Sequence, residues 1–431
     1  MTPNARDAAL RLVEESRDEL VQLTRDLVRF PTINPPGEAY EPCAHFLGER
    51  LAREGFAVEY VEAEGRAEHD DRHPRVNVVA RRVIDPSRPT IHLNGHIDVV
   101  PVGTGWTMDP FAGVVRDGRI YGRGTADMKG GLAAAIIAAE CLLRLPNAPI
   151  GTIEISGTVD EETGGLAGVA YLAELGRLTS RTIDHVIIPE PLQVDRVCIG
   201  HRGVWWFDLV THGRIAHGSM PFLGVSAIEH MAEVLHELRS GLMPDLARRL
   251  TSMPVVPAAS RRATLNINTI EGGQVGELVQ SPCVAHECRT ILDRRFLAEE
   301  SLEEVRAEID DVIDRVRQRV PGLDVTLADR LLVHPMETPN DSPLVAALVA
   351  GIGDVLGREA TLVASPGTYD HKHFTRIGGI SNVVAYGPGE LEISHQPDEW
   401  VGIDDLVRSA QVMASAMLAL FAGPTPHHPN D

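Results

Sequence analysis

The sequence from residue 94 to residue 131 reads NGHIDVVPVGTGWTMDPFAGVVRDGRIYGRGTADMKGG. It opens with a His-x-Asp triplet, His96 and Asp98, directly after a segment with the pattern of an apolar strand. Further along, Asp127 stands inside a glycine-rich turn that leads into the apolar run LAAAIIAAECLL. Histidine and carboxylate side chains delivered by a strand end and a tight turn are typical ligands of divalent metals. This stretch therefore predicts a metal site.

The chain on either side alternates apolar strands with helices, which predicts an α/β domain. Two further strands end in carboxylates: GTIEISGTVDEE reaches Glu161 and Glu162, and DHVIIPE reaches Glu190. In an open, mostly parallel sheet the carboxyl ends of the strands share one edge, where ligands bind. We therefore expect a mixed, mostly parallel sheet with helices on both faces, and with these carboxylates near His96.

The sequence pattern changes near residue 203. From there the segments alternate as antiparallel strands do, in a β-α-β-β-α order that predicts a separate α+β domain. The expected organisation is a discontinuous catalytic domain, residues 1–202 and 322–431, interrupted by an inserted lid domain, residues 203–321. A chain of 431 residues has the length for two such cores.

The composition is strongly acidic, with 61 Asp and Glu against 40 Lys and Arg and a net charge of -21. This predicts no nucleic-acid partner and no binding to anionic membranes. No apolar segment is long enough for a membrane span or has the form of a signal peptide, so we expect a cytoplasmic protein. An anionic substrate would need locally placed cations. Lys129 and Lys372 are the two lysines among 40 basic residues, and they are conspicuous because a compact ammonium cannot be replaced by a guanidinium everywhere.

Two divalent ions that share a bridging carboxylate need about five ligands from different segments. The sequence supplies that number: His96, Asp127, Glu162, Glu190 and, in GELEISHQPDEW near the C-terminus, His395.

Two more carboxylates are candidates for supporting roles. Asp98 could hold the His96 ring through its other nitrogen, and Glu161 would point away from Glu162 and be available as a general base. Taken singly, each candidate has an ordinary interpretation as a surface, turn or loop residue. Their joint occurrence at successive strand ends favours the metal centre.

The motifs GHIDVVP, W-x-x-DPF, DGRIYGRGTADMKGG and DEETGG together resemble the M20 family of co-catalytic metallohydrolases. The resemblance implies that Asp127 bridges two divalent ions, and the mixed His and carboxylate ligands tolerate Zn, Co or Mn. It implies a cis peptide bond between Asp127 and Met128, a role for Asp98 in orienting His96, and Glu161 as general base. It also implies the terminal ligands, which are His96 and Glu190 for one ion, and Glu162 and His395 for the other.

The inserted domain contains two further motifs of the family. THGRIAHGSMP resembles its lid motif, which implies that His217 stabilises the oxyanion, often across a homodimer formed through the lid. The strand ending in DRR resembles a D-x-R motif, which implies that Arg295 contacts a substrate carboxylate. By strand alternation Arg289 shares that face, and Asn266 on the neighbouring strand is a candidate hydrogen-bond partner of the substrate.

The segment SPGTYDHKHF, residues 365–374, matches the substrate loop of the family only loosely. Where many members have small residues, this chain has Tyr369 and Lys372, and both are candidate substrate contacts. The loop is where the chain departs most from the family pattern.

These residues predict a hydrolase that cleaves the amide C–N bond of an N-acyl amino acid or a related small carboxylate. A metal-bridged water would attack the carbonyl carbon with Glu161 as general base, and a deacylase is favoured over a peptidase. The alternative is an aminohydrolase that releases ammonia from a non-amide C–N bond, such as that of an aromatic amino acid. A non-catalytic, metal-containing ligand-binding protein is a third interpretation, but it predicts loss of the base or of a ligand, and all are present.

Overall fold

The computed structural model describes residues 3–273 and 282–423. The chain divides into two units. The first consists of Met1–Gly200, Glu337–Val363 and Tyr369–Asp431, and the second of His201–Met336 and Ala364–Thr368. Within the described residues, no helix has both the length and the apolar character needed to cross a membrane.

The helices are α1 (Pro3–Glu15), α2 (Arg17–Val28), α3 (Tyr40–Arg53), α4 (Gly130–Leu143), α5 (Val169–Glu174), α6 (Ala227–Glu237), α7 (Met243–Leu246), α8 (Leu302–Arg319), α9 (Pro343–Leu356), α10 (His371–Arg376) and α11 (Ile403–Phe421). The strands are β1 (Ala57–Glu62), β2 (Val76–Val83), β3 (Thr90–His96), β4 (Val114–Arg116), β5 (Arg119–Tyr121), β6 (Thr152–Thr158), β7 (His185–Ile188), β8 (Arg196–His201), β9 (Gly203–His212), β10 (Thr264–Gly272), β11 (Glu287–Phe296), β12 (Asp324–Val333), β13 (Met336–Glu337), β14 (Thr361–Ser365), β15 (Val383–Ala385) and β16 (Trp400–Gly402).

The first unit is built on a nine-stranded sheet in the order β1-β2-β6-β3-β7-β15-β8-β13, with β14 beside β8. Its central strands are parallel: β3 pairs with β6 and β7, and β15 pairs with β7. The pairs β1–β2, β2–β6 and β15–β8 are antiparallel. The predicted fold class, a mixed sheet with parallel strands and packed helices, is confirmed. The parallel arrangement brings the carboxyl ends of β6, β3 and β7 to one edge.

Helix α4 is buried along nearly its whole length because its sequence, GGLAAAIIAAECLL, is apolar on every face. It packs on β3 and against α11. Glycine is required where the helix begins, since a Cβ at Gly131 would lie 1.9 Å from the carbonyl oxygen of Pro189. This close approach sets the start of α4 directly against the residue that precedes Glu190.

The second unit contains a four-stranded antiparallel sheet in the order β10-β11-β9-β12. Helices α6 and α8 accompany it. Helix α8 begins at a capping box, in which Ser301 and Glu304 each accept the other's backbone N–H, and its apolar residues recur on one face. That face joins a core that includes Trp205, Phe207 and Phe296.

The boundary of the inserted unit differs from the sequence-based one at residue 321. Strand β12 pairs with β9, with Val325 opposite Thr211, so residues 324–333 complete the sheet of the second unit. The sequence could not show this, because alternation identifies a strand but not the strand that pairs with it. The described second unit therefore extends to Met336.

Candidate metal centre

The polar ends of three parallel strands form the candidate centre in the first unit. His96 is the last residue of β3, Glu161 and Glu162 lie in the helical turn Glu161–Thr163 after β6, and Glu190 follows β7 by two residues. These strands are direct neighbours in the sheet, so their polar ends meet.

Asp127 lies in the turn Thr125–Lys129, directly before α4, and the peptide bond between Asp127 and Met128 is cis, as the family resemblance implied. Its two carboxylate oxygens face different histidines. Oδ1 lies 3.2 Å from Nε2 of His96, and Oδ2 lies 3.4 Å from Nε2 of His395. One carboxylate between two imidazoles is the arrangement that a bridging ligand of two ions requires.

Glu162 and His395 form the other side of the cluster. Oε2 of Glu162 lies 3.2 Å from Nε2 of His395, and Oε1 is buried with no hydrogen-bond partner among the described residues. One ligand atom from each of His96, Asp127 and Glu162 can be chosen so that all three lie within 4.8 Å of one another. An unpaired buried carboxylate oxygen costs free energy unless something else binds it.

The electrostatics of the cluster indicate that a cation belongs there. Burial raises the pKa of Glu162 to about 7. Burial also raises the pKa of Glu190 well above its ordinary value, and the charge of Asp127 adds to the shift. Hydrogen bonds with Asp127 and Glu162 raise the pKa of His395 to about 10. Buried carboxylates that resist ionisation beside imidazoles fit a pair of divalent ions, which take both ligand types.

Asp98 is placed differently from the simplest expectation. Nδ1 of His96 lies 2.9 Å from the backbone carbonyl oxygen of Asp98, whereas the nearer carboxylate oxygen is 3.6 Å away. The carboxylate instead accepts the backbone N–H groups of Glu161 and Glu162 at 3.2 and 3.1 Å. Asn34 donates a third hydrogen bond at 3.0 Å. Asp98 therefore holds the turn that carries both glutamates, while its main chain orients His96.

Glu161 lies beside the cluster and faces Lys372. The Lys372 Nζ atom is 3.4 Å from Oε1 of Glu161, and only 4% of the lysine side chain is exposed. Lys372 is the second residue of α10, which begins at His371. The sequence predicted that Lys372 contacts the substrate, whereas in the structure its ammonium group contacts Glu161, the predicted base.

Tyr369 lies in the interior of the first unit. Its hydroxyl is 3.5 Å from the carbonyl oxygen of Cys198 and 3.3 Å from Nδ1 of His371, and only 4% of the residue is exposed. Burial raises the pKa of the phenol well above its ordinary value. The described contacts of Tyr369 are thus with neighbouring protein groups.

The predicted substrate cations of the second unit lie on one face of β11, as alternation implied, but each contacts a carboxylate. Arg289 donates two hydrogen bonds to Asp208, at 2.9 and 2.8 Å. Arg295 donates two to Asp293, at 2.7 and 3.0 Å. On β10, Asn266 lies opposite Asp293 and donates to Asn268 at 2.6 Å. A substrate carboxylate would have to compete with these protein partners.

His217 is exposed in the second unit, and its tautomer follows from its partners. The backbone N–H of Ser219 donates to Nδ1 at 3.2 Å, and the Ser219 hydroxyl lies 2.8 Å from the same atom. Because an N–H group can only donate, Nδ1 is the acceptor and the neutral ring has its proton on Nε2. An Nε2–H group is the kind of donor that an oxyanion requires.

Sequence reasoning missed two residues that contact the ligand-bearing segments. Arg123 and Glu399 form an ion pair of 2.5 Å with 1% and 0% of their side chains exposed. Glu399 accepts the backbone N–H groups of Ala126 and Asp127 at 3.0 and 3.2 Å. The only available signal was proximity, since Arg123 stands in the GRGTADMKGG motif and Glu399 four residues after His395.

The fold and the cluster define a hydrolase class with a metal-binding centre at the carboxyl edge of a mixed sheet. The model of peptidase family M20/M25/M40 matches residues 92–419, most of the chain. The chain therefore belongs to the M20 family and is a metal-dependent hydrolase.

A curated relative agrees with this assignment, and two solved structures share the fold. A succinyl-diaminopimelate desuccinylase from Psychrobacter arcticus is 30% identical over 403 residues, which cover 92% of this chain and 93% of that protein. Human carnosine dipeptidase 1 has a similar structure, with a TM-score of 0.74 and 20% identity over 96% of this chain and 98% of that chain. A dinuclear metal-binding M20 peptidase from Bacillus subtilis gives a TM-score of 0.68 and 17% identity over 94% and 98% of the two chains. The two structural likenesses show the shared fold.

Proposed function

We propose that this protein hydrolyses the amide bond of an N-acyl amino acid or a related small carboxylate. The observation that carries the proposal is the position of Asp127, whose two oxygens face His96 and His395 in a cluster bordered by Glu161. The desuccinylase relative is named for cleavage of a succinylated amino compound, which supports a deacylase over a peptidase.

The proposed ligands follow the same geometry. His96 and Glu190 would hold one ion, Glu162 and His395 the other, and Asp127 both, with Zn, Co or Mn as the candidates. When bound, such ions lower the pKa of a water and polarise a carbonyl group. The two imidazoles and three carboxylates of the cluster match the ligand preferences of all three metals.

Glu161 is the proposed general base and acid. Its carboxylate would take a proton from the attacking water and deliver it to the leaving amine nitrogen, so that the amide C–N bond breaks and a carboxylic acid and an amine leave. The backbone of Glu161 is held by Asp98, and its side chain is held by Lys372. For His217, the proposed role is to donate its Nε2–H to the tetrahedral oxyanion.

A carboxylate on the substrate is proposed because the chain keeps cations in the segments that the family uses for substrate. Arg295 and Arg289 are the proposed contacts, with Asn266, Tyr369 and Lys372 as further candidates. A bidentate arginine can exchange one carboxylate for another of the same geometry, so the pairs with Asp293 and Asp208 are compatible with substrate binding.

The test is a panel of acylated amino acids, including N-succinyl and N-acetyl compounds, and dipeptides, assayed with the zinc, cobalt and manganese enzymes. Hydrolysis of the acylated amino acids, with release of the free carboxylic acid, supports the proposal. Release of ammonia from aromatic amino acids without any carboxylic acid product would instead establish the aminohydrolase alternative. Tight zinc binding without turnover of any compound would favour a ligand-binding protein.

We further propose a homodimer formed through the second unit. Among the described residues of this unit seven large apolar side chains are exposed, and Phe222 has 78% of its surface accessible: Ile215, Met220, Phe222, Leu223, Ile228, Leu250 and Ile270. Exposed apolar side chains at this density are typical of an interface. Light scattering on the purified protein tests the proposal, and Phe222→Ser should shift the mass toward a monomer.

A further inference from the structure

A buried ion pair joins the two chain segments that carry Asp127 and His395. Arg123 lies in the glycine-rich turn region, and Glu399 follows the His395 loop. Their side chains are 2.5 Å apart and are almost entirely shielded from solvent. The cost of removing both charges from water makes such a pair a weak source of stability. Its presence at this position therefore suggests a role other than stabilising the fold.

Four further hydrogen bonds of the pair point to that explanation, because they go to the main chain of the ligand-bearing segments; a fifth, longer one runs from Arg123 to the carbonyl oxygen of Val102, at 3.4 Å. Oε1 of Glu399 accepts the N–H groups of Ala126 and Asp127, at 3.0 and 3.2 Å. Arg123 donates to the carbonyl oxygens of His395 and Gln396, at 3.2 and 3.3 Å. One charged pair thus contacts the backbone of two ligand-bearing segments.

The His395 segment needs such support. His395 has a φ of 65°, a left-handed conformation that a residue with a Cβ adopts at a cost of about 1 kcal/mol or more. It lies in the loop between β15 and β16. Nearly half of its side chain, 47%, is exposed. The hydrogen bond from Arg123 to its carbonyl oxygen restrains a backbone that neither sheet pairing nor burial of the side chain holds.

We propose that Arg123 and Glu399 are positioning residues that fix His395 and Asp127 relative to each other and thereby set the affinity of the ion held by Glu162 and His395. The inference rests on the proposed two-metal centre. Neither residue touches the reacting atoms. Loss of either should weaken that ion most, because His395 serves it alone. The other ion shares only Asp127 with it and keeps His96 and Glu190, which are carried by β3 and the segment after β7.

The test is the zinc content of the holoenzyme after equilibrium dialysis against buffers of falling free zinc, measured by mass spectrometry. Glu399→Gln removes the charge and keeps the shape. In this variant we expect the step from two zinc ions to one to occur at a free zinc concentration about tenfold or more above that of the unaltered protein. A shift of this size is typical of the loss of a group that supports a metal ligand. The step from one zinc ion to none should shift by less. Excess zinc should restore turnover.

Glu140→Gln is the matched control. Glu140 is also fully buried and paired with an arginine, Arg50, at 2.6 Å, but it lies in α4 away from the ligand segments. It should lower stability and leave both zinc steps in place. Arg123→Lys keeps the positive charge but loses the planar guanidinium group that donates several hydrogen bonds at once. It provides a second test of the same inference if Glu399→Gln does not fold.

The outcomes are distinguishable. The inference would be overturned if both Glu399→Gln and Arg123→Lys lost their two zinc ions at the same free zinc concentrations as the unaltered protein. It would also be overturned if Glu140→Gln shifted the first step as much as Glu399→Gln. Either result would leave the two-metal centre intact. An unaltered protein that binds fewer than two zinc ions at saturating zinc would instead overturn the proposed centre on which the inference rests.

Discussion

The ammonium group of Lys372 lies 3.4 Å from Oε1 of Glu161, although the two residues are separated by 211 positions in the chain. Lys372 is buried, and Glu161 is adjacent in sequence to the proposed ligand Glu162. A buried ammonium that contacts a carboxylate restricts the orientations which that carboxylate can adopt. This contact therefore joins the segment 365–374, which matches the family pattern only loosely, to the proposed general base.

We expect Lys372→Met to lower kcat by about 10- to 100-fold and to change KM by less than about threefold, because the interaction lies at the base and not at the substrate. Steady-state kinetics on the preferred substrate of the panel provide the measurement. Lys372→Arg, which restores the charge, should recover part of the loss. A large rise in KM with unchanged kcat would return Lys372 to the substrate-binding role that its sequence position suggested.

Replacing Glu161 by Gln should lower turnover by about a thousandfold or more, since the amide cannot accept a proton. Both zinc ions should remain bound, as measured by mass spectrometry. Glu162→Gln is the matched comparison at the neighbouring position, and it should lose zinc because the buried Glu162 carboxylate is a proposed ligand. Near-normal turnover in Glu161→Gln would remove Glu161 from the mechanism.

Gly131→Ala should weaken zinc binding and lower the free energy of unfolding, because its Cβ would lie 1.9 Å from the Pro189 carbonyl oxygen and displace the residue before Glu190. Chemical denaturation and zinc dialysis are the two measurements. Gly353→Ala in α9 is the control, since a Cβ there meets no atom within 4 Å. That change should raise stability by about 0.5 to 1 kcal/mol through helix propensity. Equal effects of the two variants would contradict the packing argument.

Acid should destabilise the fold through His185. Burial lowers the pKa of this histidine to about 4, and 3% of the residue is exposed. In the unfolded chain the pKa returns to about 6.5, so below that pH the unfolded state binds a proton that the folded state excludes. The free energy of unfolding should therefore fall as the pH drops from about 6.5 towards 4, by about 2.5 kcal/mol at pH 4.5 from this residue alone.

The check is urea denaturation of the unaltered protein and of His185→Gln at pH 7 and pH 4.5. All other acid-sensitive groups are common to both proteins, so the difference in their pH dependence isolates His185. The variant should lose less stability between the two pH values. Parallel losses would show that His185 titrates normally in the folded state.

Removal of the ions by a chelator should abolish hydrolysis and lower Tm. A ligand present at a hundred times its dissociation constant stabilises the folded state by about 2.7 kcal/mol for each site, so two sites should give a large shift in Tm. Differential scanning calorimetry with and without added zinc, cobalt or manganese measures the effect. Full activity after exhaustive chelation, verified by mass spectrometry, would contradict a metal-dependent reaction.

Much of the fold could be predicted from the sequence because it depends on local pattern. The continuous apolar strands that end at His96, Thr158 and Ile188 indicate buried parallel strands, and the apolar run after Gly131 indicates a buried helix. The partner of β12 could not be predicted, because alternation identifies a strand while its pairing with β9 joins residues more than a hundred positions apart. That pairing extends the second unit beyond residue 321.

The candidate centre divides in the same way. The sequence by itself determined the ligand types and the strand ends that carry them, because strand alternation and turn chemistry are encoded within a few residues. Only the tertiary structure decided that Lys372 faces Glu161, that the carboxylate of Asp98 holds the turn of both glutamates, and that Arg123 and Glu399 contact the segments of Asp127 and His395. These contacts join residues far apart in the chain, and a charged side chain is buried only where a distant partner is brought to it.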